Sequence, residues 1–311
     1  MEPILQIEHL SITFTQYSWG ARRRELPVIR DLSLSLSPGE VTAVVGASGS
    51  GKSLLAHAIL GLLPYNSRRE GSILYKGQEL TPRRLEKLRG REISLVPQGV
   101  TYLDPLMKVG PQLTQGRRDI DTRRRAREAL SRYGLGPETE RRYPFQLSGG
   151  MARRVLMASA VMESPQLIIA DEPTPGLDAQ AAGRLLGHFR ELAQEGAAVL
   201  FITHDLELAL TVAHRVAVFY AGETIEEALA SDFEAGSLRH PFTKALWDAL
   251  PQRGFRPIPG SQPYPGEVGE GCPFLGQCPH PGADCAQGPL PLRPFQGGAV
   301  RCLYPNKEVA P

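Results

Sequence analysis

The chain has 311 residues and a formal net charge of +2, with 41% hydrophobic and 22% charged residues. This is the composition of an ordinary globular protein, long enough for one large domain with an appendage or for two domains, and too balanced in charge to indicate a nucleic-acid binder. No apolar run approaches the roughly 20 residues needed to span a bilayer, and residues 1–3 do not have the layout of a secretory signal. We therefore expect a cytoplasmic protein that meets a membrane only through a partner.

The first elements are strands followed by a helix. Residues 4–14 and 28–36 alternate between apolar and polar side chains, which predicts two half-exposed antiparallel strands. A polar, arginine-rich excursion at residues 22–24 is expected to link them. The apolar run 41–45 predicts a buried strand, and residues 54–63 have the pattern of a helix.

Between that strand and that helix lies the motif G-x-x-x-x-G-K-S at residues 46–53. When a strand, a glycine-rich turn and a helix follow one another, the turn presents backbone N–H groups to an anion, and the helix adds the partial positive charge of its N-terminus. We predict that Lys52 reaches the β- and γ-phosphates of a nucleotide and that the Ser53 hydroxyl ligates Mg²⁺. The residues predicted to bind nucleotide here are Gly46, Ser48, Gly49, Ser50, Gly51, Lys52, Ser53 and Leu54.

Later apolar runs indicate the rest of the sheet. Residues 71–75 predict another edge strand, and buried strands are predicted at 93–96, 167–170, 199–202 and 216–220. Helical segments separate these runs, so we predict a largely parallel sheet with helices around it. The arginine-rich stretch between residues 100 and 143 predicts a helical insertion.

Two adjacent acids end one of the buried strands. Asp171 and Glu172 follow the apolar run 167–170, and adjacent carboxylates at a buried strand end are rare unless they meet a cation or a reacting water. We predict that Asp171 contacts Mg²⁺ and that Glu172 orients and polarises the attacking water.

A second anion-binding motif lies at residues 147–150, Leu-Ser-Gly-Gly, before a helical stretch that runs to about residue 163. Ser148 and the two side-chain-free glycines, Gly149 and Gly150, offer donors to a phosphate at a helix N-terminus. Taken alone, the motif is better explained as a plain helix N-cap, and only the other motifs favour a phosphate site.

Together these motifs resemble the ATP-binding cassette (ABC) family over residues 4 to about 250. The resemblance implies an α/β P-loop NTPase cassette: a mostly parallel sheet core, an antiparallel β subdomain and a helical subdomain at about residues 100–165. It also implies that the Ser148 motif faces the nucleotide held by an opposing cassette, so that ATP bridges two subunits. Residues 251–311 form a Pro/Gly/Cys-rich C-terminal extension in which little regular structure is expected.

The resemblance assigns further site residues. Gln98 looks like the glutamine that contacts Mg²⁺ and relays nucleotide state to the membrane subunit. Asp178 looks like the acidic residue that crosses the dimer interface, and His204 like the histidine that contacts the γ-phosphate. The catalytic residues are then Glu172, as general base or water-positioner, with Lys52 and His204 stabilising charge on the transferred phosphoryl group.

An aromatic residue usually stacks on adenine near the N-terminus of such cassettes. Phe14 is the candidate by position, with Tyr17 and Trp19 as alternatives, and Phe14 is equally interpretable as a core strand residue.

Two departures from the pattern of peptide-importer relatives stand out. Pro175-Gly176 replaces a Thr-Ala pair, and Ala152-Arg153-Arg154 replaces the more frequent Arg-Gln-Arg.

The C-terminal region resembles that of one group of importers within the family. Residues 240–246, His-Pro-Phe-Thr-Lys-Ala-Leu, resemble the motif that opens this region in peptide and nickel importer ATPases, some of which bind a 4Fe–4S cluster through a similar cysteine pattern. All the cysteines lie in this region: Cys272, Cys278, Cys285 and Cys302. Four thiolates in a loop-rich segment suit such a cluster or Zn²⁺. We predict the cluster over zinc because the spacing is wider than in structural zinc sites, and free reduced cysteines remain a third interpretation.

The functional prediction is an ATP-hydrolysing subunit of an ABC importer for peptides, nickel or metal–metallophore complexes. The implied cofactors are ATP and Mg²⁺. The implied partners are a second cassette, two transmembrane permease subunits and an extracytoplasmic substrate-binding protein. The second cassette is expected to be a different chain, although a homodimer stays open. The chain is expected on the cytoplasmic face of the membrane. The alternative is a regulatory nucleotide-binding subunit with a redox-sensing tail and little hydrolysis. A soluble cassette ATPase of translation or DNA repair fits poorly, because neither a duplicated cassette nor a long coiled-coil insertion is present.

Overall fold

The computed structural model describes residues 2–18, 22–47, 49–264 and 266–306. Its first elements form an antiparallel unit of four strands, in the order β5, β4, β1, β2. These strands are β1 (Leu5–Ser18), β2 (Arg22–Leu36), β4 (Ser67–Tyr75) and β5 (Gln78–Glu79). The predicted antiparallel pair is confirmed.

The prediction of an excursion at residues 22–24 is wrong. Arg22, Arg23 and Arg24 are the first residues of β2 and pair with residues 16–18 of β1. The two strands continue as a solvent-exposed ribbon beyond the sheet, where neither face is buried. Polar side chains are therefore compatible with strand pairing there, although they obscure the alternation that predicts a strand.

The central sheet carries the predicted parallel strands. They are β3 (Val41–Gly46), β6 (Ile93–Val96), β7 (Leu167–Asp171), β8 (Ala198–Thr203) and β9 (Arg215–Tyr220). Their order is β9-β3-β8-β7-β6, with parallel pairing throughout. All residues of β3, β7 and β8 are buried, as expected for strands covered on both faces.

Helices pack on this sheet: α1 (Lys52–Ile59), α2 (Pro82–Leu88), α6 (Ala179–Gln194) and α7 (Leu206–Val212). One face of α6 is buried through Leu185, Leu186, Phe189, Leu192 and Ala193. Because parallel strands end at one edge of the sheet, the residues that follow β3, β7 and β8 meet there.

Helices occupy the region where a helical insertion is predicted. It contains α3 (Val109–Leu113), α4 (Ile120–Arg132) and α5 (Gly149–Val161). Leu113, Leu130 and Val155 belong to the same buried cluster as residues of the central sheet. The insertion is therefore packed against the core of the cassette.

The C-terminal region is tied to the cassette by strands and by buried arginines. After β10 (Glu223–Leu229) come α8 (Ala230–Glu234) and α9 (Pro241–Asp248), then β11 (Arg293–Phe295) and β12 (Gly298–Val300). Strand β12 pairs antiparallel with β10 and so extends the central sheet. The prediction of little regular structure missed this pairing, because a three-residue strand has too few positions to show a period.

Arg301 secures this attachment. Its side chain is 2% exposed and donates hydrogen bonds to the carbonyl oxygen of Thr224 at 2.8 Å, to the carboxylate of Asp31 at 3.0 Å and to the carbonyl oxygen of Leu290 at 2.5 Å. One guanidinium thus joins β10, β2 and the extension.

Within the described residues, no helix has the length and apolar character needed to cross a membrane.

Replacing Arg301 by Ala should destabilise the fold by about 3 kcal/mol, since it leaves buried acceptors without a charged donor. Urea denaturation of the full chain measures this change, and limited proteolysis should cut residues 266–306 first. The control is Arg124→Ala, which removes exposed ion pairs within α4 and should leave the denaturation midpoint in place. Equal midpoints for the two variants would contradict the assigned role of Arg301.

Candidate nucleotide-binding and catalytic site

The phosphate loop connects β3 to α1, and two of its glycines are required by the geometry. A Cβ atom at Gly46 would lie 2.3 Å from the carbonyl oxygen of Phe219, which is a steric clash. Gly51 precedes α1 with φ +97°, a left-handed conformation that favours glycine. Both positions therefore require glycine, as expected in a turn that brings its backbone N–H groups close to an anion.

Lys52 is buried inside this loop. Its side chain is 6% exposed, and its Nζ atom donates to the carbonyl oxygens of Gly46 at 2.8 Å and Ala47 at 2.9 Å. Burial lowers the pKa of Lys52, and the carboxylates of Glu172 and Asp171 oppose that shift. The ammonium is thus pre-positioned in a desolvated site, where a phosphate oxygen is a stronger acceptor than a neutral carbonyl.

Ser53 and Asp171 come together from α1 and β7. The Ser53 hydroxyl donates to Asp171 Oδ1 at 3.1 Å, and Asp171 is 6% exposed. Burial is the largest cause of the raised pKa of Asp171. A hydroxyl and a carboxylate oxygen at this separation are hard donors of the kind that Mg²⁺ prefers, so the donor set fits that ion.

Glu172 and His204 form the second polar pair of the site. Glu172 is 7% exposed, and its Oε1 lies 2.8 Å from His204 Nδ1. Its other oxygen, Oε2, is buried and has no hydrogen-bond partner among the described residues. A buried carboxylate oxygen without a donor is costly, and a water at this position would supply one.

The backbone of Glu172 is in the left-handed region, with φ +45°. Such a conformation is uncommon for a residue with a side chain and costs on the order of 1–3 kcal/mol. Its N–H donates to the carbonyl oxygen of Ile202 at 2.9 Å, which ties the turn after β7 to β8. Strain of this kind persists where the surrounding contacts fix the chain.

These groups border one open cavity of about 340 Å³. Its walls are Val28, Gly49, Gly51, Lys52, Ser53, Leu54, Gln98 and Glu172. The structure therefore brings the predicted phosphate loop, Gln98 and Glu172 to one place, and Asp171 and His204 join them through Ser53 and Glu172. Sequence analysis missed Val28, because only the packing of β2 beside Gly51 shows that it belongs to the site.

The second motif lies elsewhere on the surface. Ser148, Gly149 and Gly150 are exposed at the start of α5, and the Ser148 hydroxyl accepts from Met151 N at 3.3 Å. Gly150 and Asp178 border a different cavity, of about 740 Å³. Asp178 caps α6 by accepting from Ala181 N at 2.8 Å. Among the described residues of one chain, then, the motif at Ser148 does not border the phosphate-loop cavity.

The aromatic candidates for adenine stacking differ in their surroundings. Phe14 lies opposite Leu26 on β2 and packs against the hydrophobic core, which favours its interpretation as a core strand residue. Tyr17 is 75% exposed. Trp19, and Ser48 of the phosphate loop, lie outside the described residues.

All four cysteines are free thiols that border one small cavity of about 10 Å³, together with His240 and His280. Within the part of the chain that the structure describes, no three His, Cys, Asp or Glu side chains are grouped so that they could hold a metal ion. The cavity has room for about one water, and burial raises the pKa of Cys272 to about 11. The arrangement therefore does not fit the predicted iron–sulfur or zinc centre as it stands.

Two family models match the chain. Residues 29–175 match "ABC transporter", and residues 225–285 match "Oligopeptide/dipeptide transporter, C-terminal region". The oligopeptide transport ATP-binding protein OppD of Escherichia coli is 35% identical over 99% of this chain and 95% of its own length. The dipeptide transport ATP-binding protein DppD of Bacillus subtilis is 35% identical over 90% of this chain and 88% of its own length.

A solved structure shares the fold. It is a dimeric ATP-binding cassette in a post-hydrolysis state with ADP and Pi, and it is 27% identical with a TM-score of 0.63, covering 73% of this chain and 98% of that one. Fold and phosphate loop define a P-loop ATPase that uses ATP and Mg²⁺. The chain belongs to the ATP-binding proteins of the ABC transporter family, with the C-terminal region of the oligopeptide and dipeptide transporters. The predicted family and ATPase activity are confirmed.

The buried His240 predicts a pH dependence of stability. It is 1% exposed, its Nδ1 accepts from Phe242 N at 3.0 Å, and burial lowers its pKa to about 3. The unfolded chain binds a proton at this histidine near pH 6.5, whereas the folded chain does not. Stability should therefore be lost as the pH falls from about 6.5 towards 3, by about 1.4 kcal/mol per pH unit from this group.

His240→Asn keeps a cap acceptor and removes this titration, so urea denaturation between pH 6 and pH 4 should show a shallower loss of stability. His9→Asn is the control, because the side chain of His9 is 81% exposed. A slope for the His240 variant equal to that of the unmodified chain would show that another group causes the acid sensitivity.

Proposed function

We propose that this chain is the ATP-hydrolysing subunit of an importer for oligopeptides or dipeptides. It would act at the cytoplasmic face of the membrane with a second cassette, two permease subunits and an extracytoplasmic substrate-binding protein. The match at residues 225–285 and the names of the two relatives support peptides as cargo. Neither relative's name mentions nickel or a metallophore, so the proposal is narrower than the sequence prediction.

The observation that carries the catalytic proposal is the state of the Glu172 carboxylate. One oxygen is held by His204 at 2.8 Å, and the other is buried and unpartnered beside the phosphate-loop cavity. A carboxylate held in this way can accept a hydrogen bond from a water and align it for attack on the γ-phosphorus. Lys52 and His204 then face the oxygens on which negative charge develops.

The magnesium proposal rests on Ser53, Asp171 and Gln98. Ser53 and Asp171 are already joined by a hydrogen bond, and Gln98 borders the same cavity. When bound, the ion neutralises charge on the β- and γ-phosphates. Ser53, Asp171 and Gln98 would hold the ion in place, and Ser53 and Gln98 border the cavity beside the phosphate loop.

The dimer proposal rests on the exposed N-terminus of α5. Ser148, Gly149 and Gly150 are free to meet a phosphate, yet they do not border the phosphate-loop cavity of their own chain. We therefore propose that they bind the nucleotide of an opposing cassette and that Asp178 lies at the shared boundary. We propose a different chain as the opposing cassette, and intact-mass analysis of the purified complex separates a heterodimer from a homodimer.

A cofactor at the cysteines is a separate proposal on which no step of hydrolysis depends. Four thiols border one cavity, and His240, which also borders it, has a buried Nε2 atom without a hydrogen-bond partner in the part of the chain that the structure describes. We propose that Cys272, Cys278, Cys285 and Cys302 hold a 4Fe–4S cluster when iron and sulfide are supplied, with Zn²⁺ as the alternative. The cavity is too small for the cluster, so loading requires the extension to rearrange.

Glu172→Gln should lower the ATP turnover that this chain's own site contributes to the assembled transporter by about 100-fold or more, because the amide cannot accept the proton. ATP should still bind, so the variant should accumulate an ATP-bound closed dimer, which nucleotide retention after rapid desalting measures. The control is Glu207→Gln, an exposed glutamate on α7 that pairs with Gln252. Undiminished turnover in the Glu172 variant would remove it from the catalytic role.

The cluster proposal predicts about four iron and four sulfide per chain in anaerobically purified protein, with broad absorption in the visible range. Changing Cys272 and Cys278 to Ser should abolish both signals, whereas ATP binding, measured separately, should persist. Colourless protein with one zinc per chain would favour the alternative, and protein without metal would mean that the thiols are simply reduced.

A further inference from the structure

Arg153 connects the helical insertion to two loops of the catalytic site. It lies one turn into α5, and its guanidinium donates to the carbonyl oxygen of Gln98 at 3.2 Å and to that of Pro173 at 2.9 Å. A further hydrogen bond goes to the carbonyl oxygen of Pro175. This residue belongs to one of the two departures from the relatives' pattern, where Ala152-Arg153-Arg154 replaces Arg-Gln-Arg.

These contacts are not an ion pair. Among the described residues Arg153 has no carboxylate partner, and partial burial lowers the pKa of its guanidinium. The group remains charged at neutral pH, so its hydrogen bonds to carbonyl oxygens are charge-assisted and stronger than neutral ones. A planar fork with several donors can also bind acceptors from separate segments at once.

The two loops are the ones that position the reacting groups. Gln98 borders the phosphate-loop cavity, and Pro173 directly follows Glu172, whose backbone is strained at φ +45°. The N–H of Glu172 donates a hydrogen bond to the carbonyl oxygen of Ile202, and the carbonyl oxygen of Pro173 accepts one from Arg153. The turn that carries the carboxylate is therefore fixed on both sides.

Arg153 also lies on the same face of α5 as the exposed phosphate-binding motif. Gly149 is four residues earlier in the helix, and residues four apart are neighbours on one face. A phosphate that draws the N-terminus of α5 towards an opposing nucleotide must displace Arg153 with it. The displacement then reaches both loops through the same guanidinium.

We propose that Arg153 is a positioning residue for hydrolysis, which links the α5 motif at Ser148 to Gln98 and to the turn that holds Glu172. This inference rests on the proposed role of Glu172. It predicts that engagement of α5 by the opposing nucleotide adjusts the turn that holds the catalytic carboxylate. Nucleotide binding to the phosphate loop itself needs no contact with Arg153.

A second arginine provides a matched control. Arg132 also joins the helical insertion to the core, through ion pairs with Glu191 of α6 at 3.3 Å and with Glu195, the residue after α6, at 3.1 Å. Those acids are exposed, with side-chain exposures of 54% and 60%, and none of these contacts involves the loops of the catalytic site. If attachment of the insertion were all that mattered, the two arginines would be equivalent.

The test uses the assembled transporter in proteoliposomes. ATP turnover of the Glu172→Gln complex measures the contribution of the opposing cassette, and this background is subtracted. Arg153→Gln should then lower kcat by about 10-fold or more, since small misplacements of reacting groups cost this much, and should change KM for ATP by less than about 2-fold. Arg153→Lys, which keeps the charge but not the fork, should be intermediate. Arg132→Gln should leave both constants near those of the unmodified complex.

A double variant shows whether Arg153 acts through Glu172. If it does, adding Arg153→Gln to Glu172→Gln lowers turnover no further. Unmodified kcat in Arg153→Gln, an equal loss in Arg132→Gln, or a full additional loss in the double variant would each overturn the proposal. Unmodified turnover in Glu172→Gln alone would instead overturn the proposed role of that residue.

Discussion

The register of three parallel strands determines where every reacting group lies. Val45 of β3 pairs with Thr203 of β8, and Asp171 of β7 pairs with Ile202. The segments that leave these strands therefore begin at the same edge of the sheet, within hydrogen-bonding reach of one another. The contacts of Ser53 with Asp171 and of Glu172 with His204 are direct results of this alignment. A shift of one residue in any strand would separate the phosphate loop from the acids.

The same edge concentrates charge in a place with little solvent. Lys52, Asp171 and Glu172 are each less than 8% exposed, and desolvation disfavours the charged form of Lys52 and of Asp171. One cation and two carboxylates leave an excess of negative charge, which a Mg²⁺ ion held by Ser53 and Asp171 would offset. The Glu172 oxygen without a partner indicates that the protein alone does not complete the site.

The attachment of the C-terminal region follows a different principle. Buried guanidinium groups, each surrounded by carbonyl and carboxylate oxygens, join the extension to the cassette. Arg301 does this at β2 and β10, and Arg239, 2% exposed, pairs with Glu226 and Asp232. Such groups are costly to bury without partners, so each arginine specifies one arrangement of the segments around it. Strand β12 then continues the sheet from β10.

The order of strand, glycine-rich turn and helix, the acids after a buried strand and the Leu-Ser-Gly-Gly motif are local patterns, and they alone determined the family, the ATPase activity and the phosphate-loop residues. The buried strands were also predictable, because burial on both faces makes them continuous apolar runs. Tertiary structure decided what depends on distant segments. It placed Val28 at the cavity, extended the arginine-rich strand of β2, and paired β12 with β10. It also made Arg153 a link between loops, although in the sequence it is only an unusual residue after a motif. Hydrogen bonds to backbone carbonyls carry no sequence signal at the acceptor, since every residue offers the same oxygen.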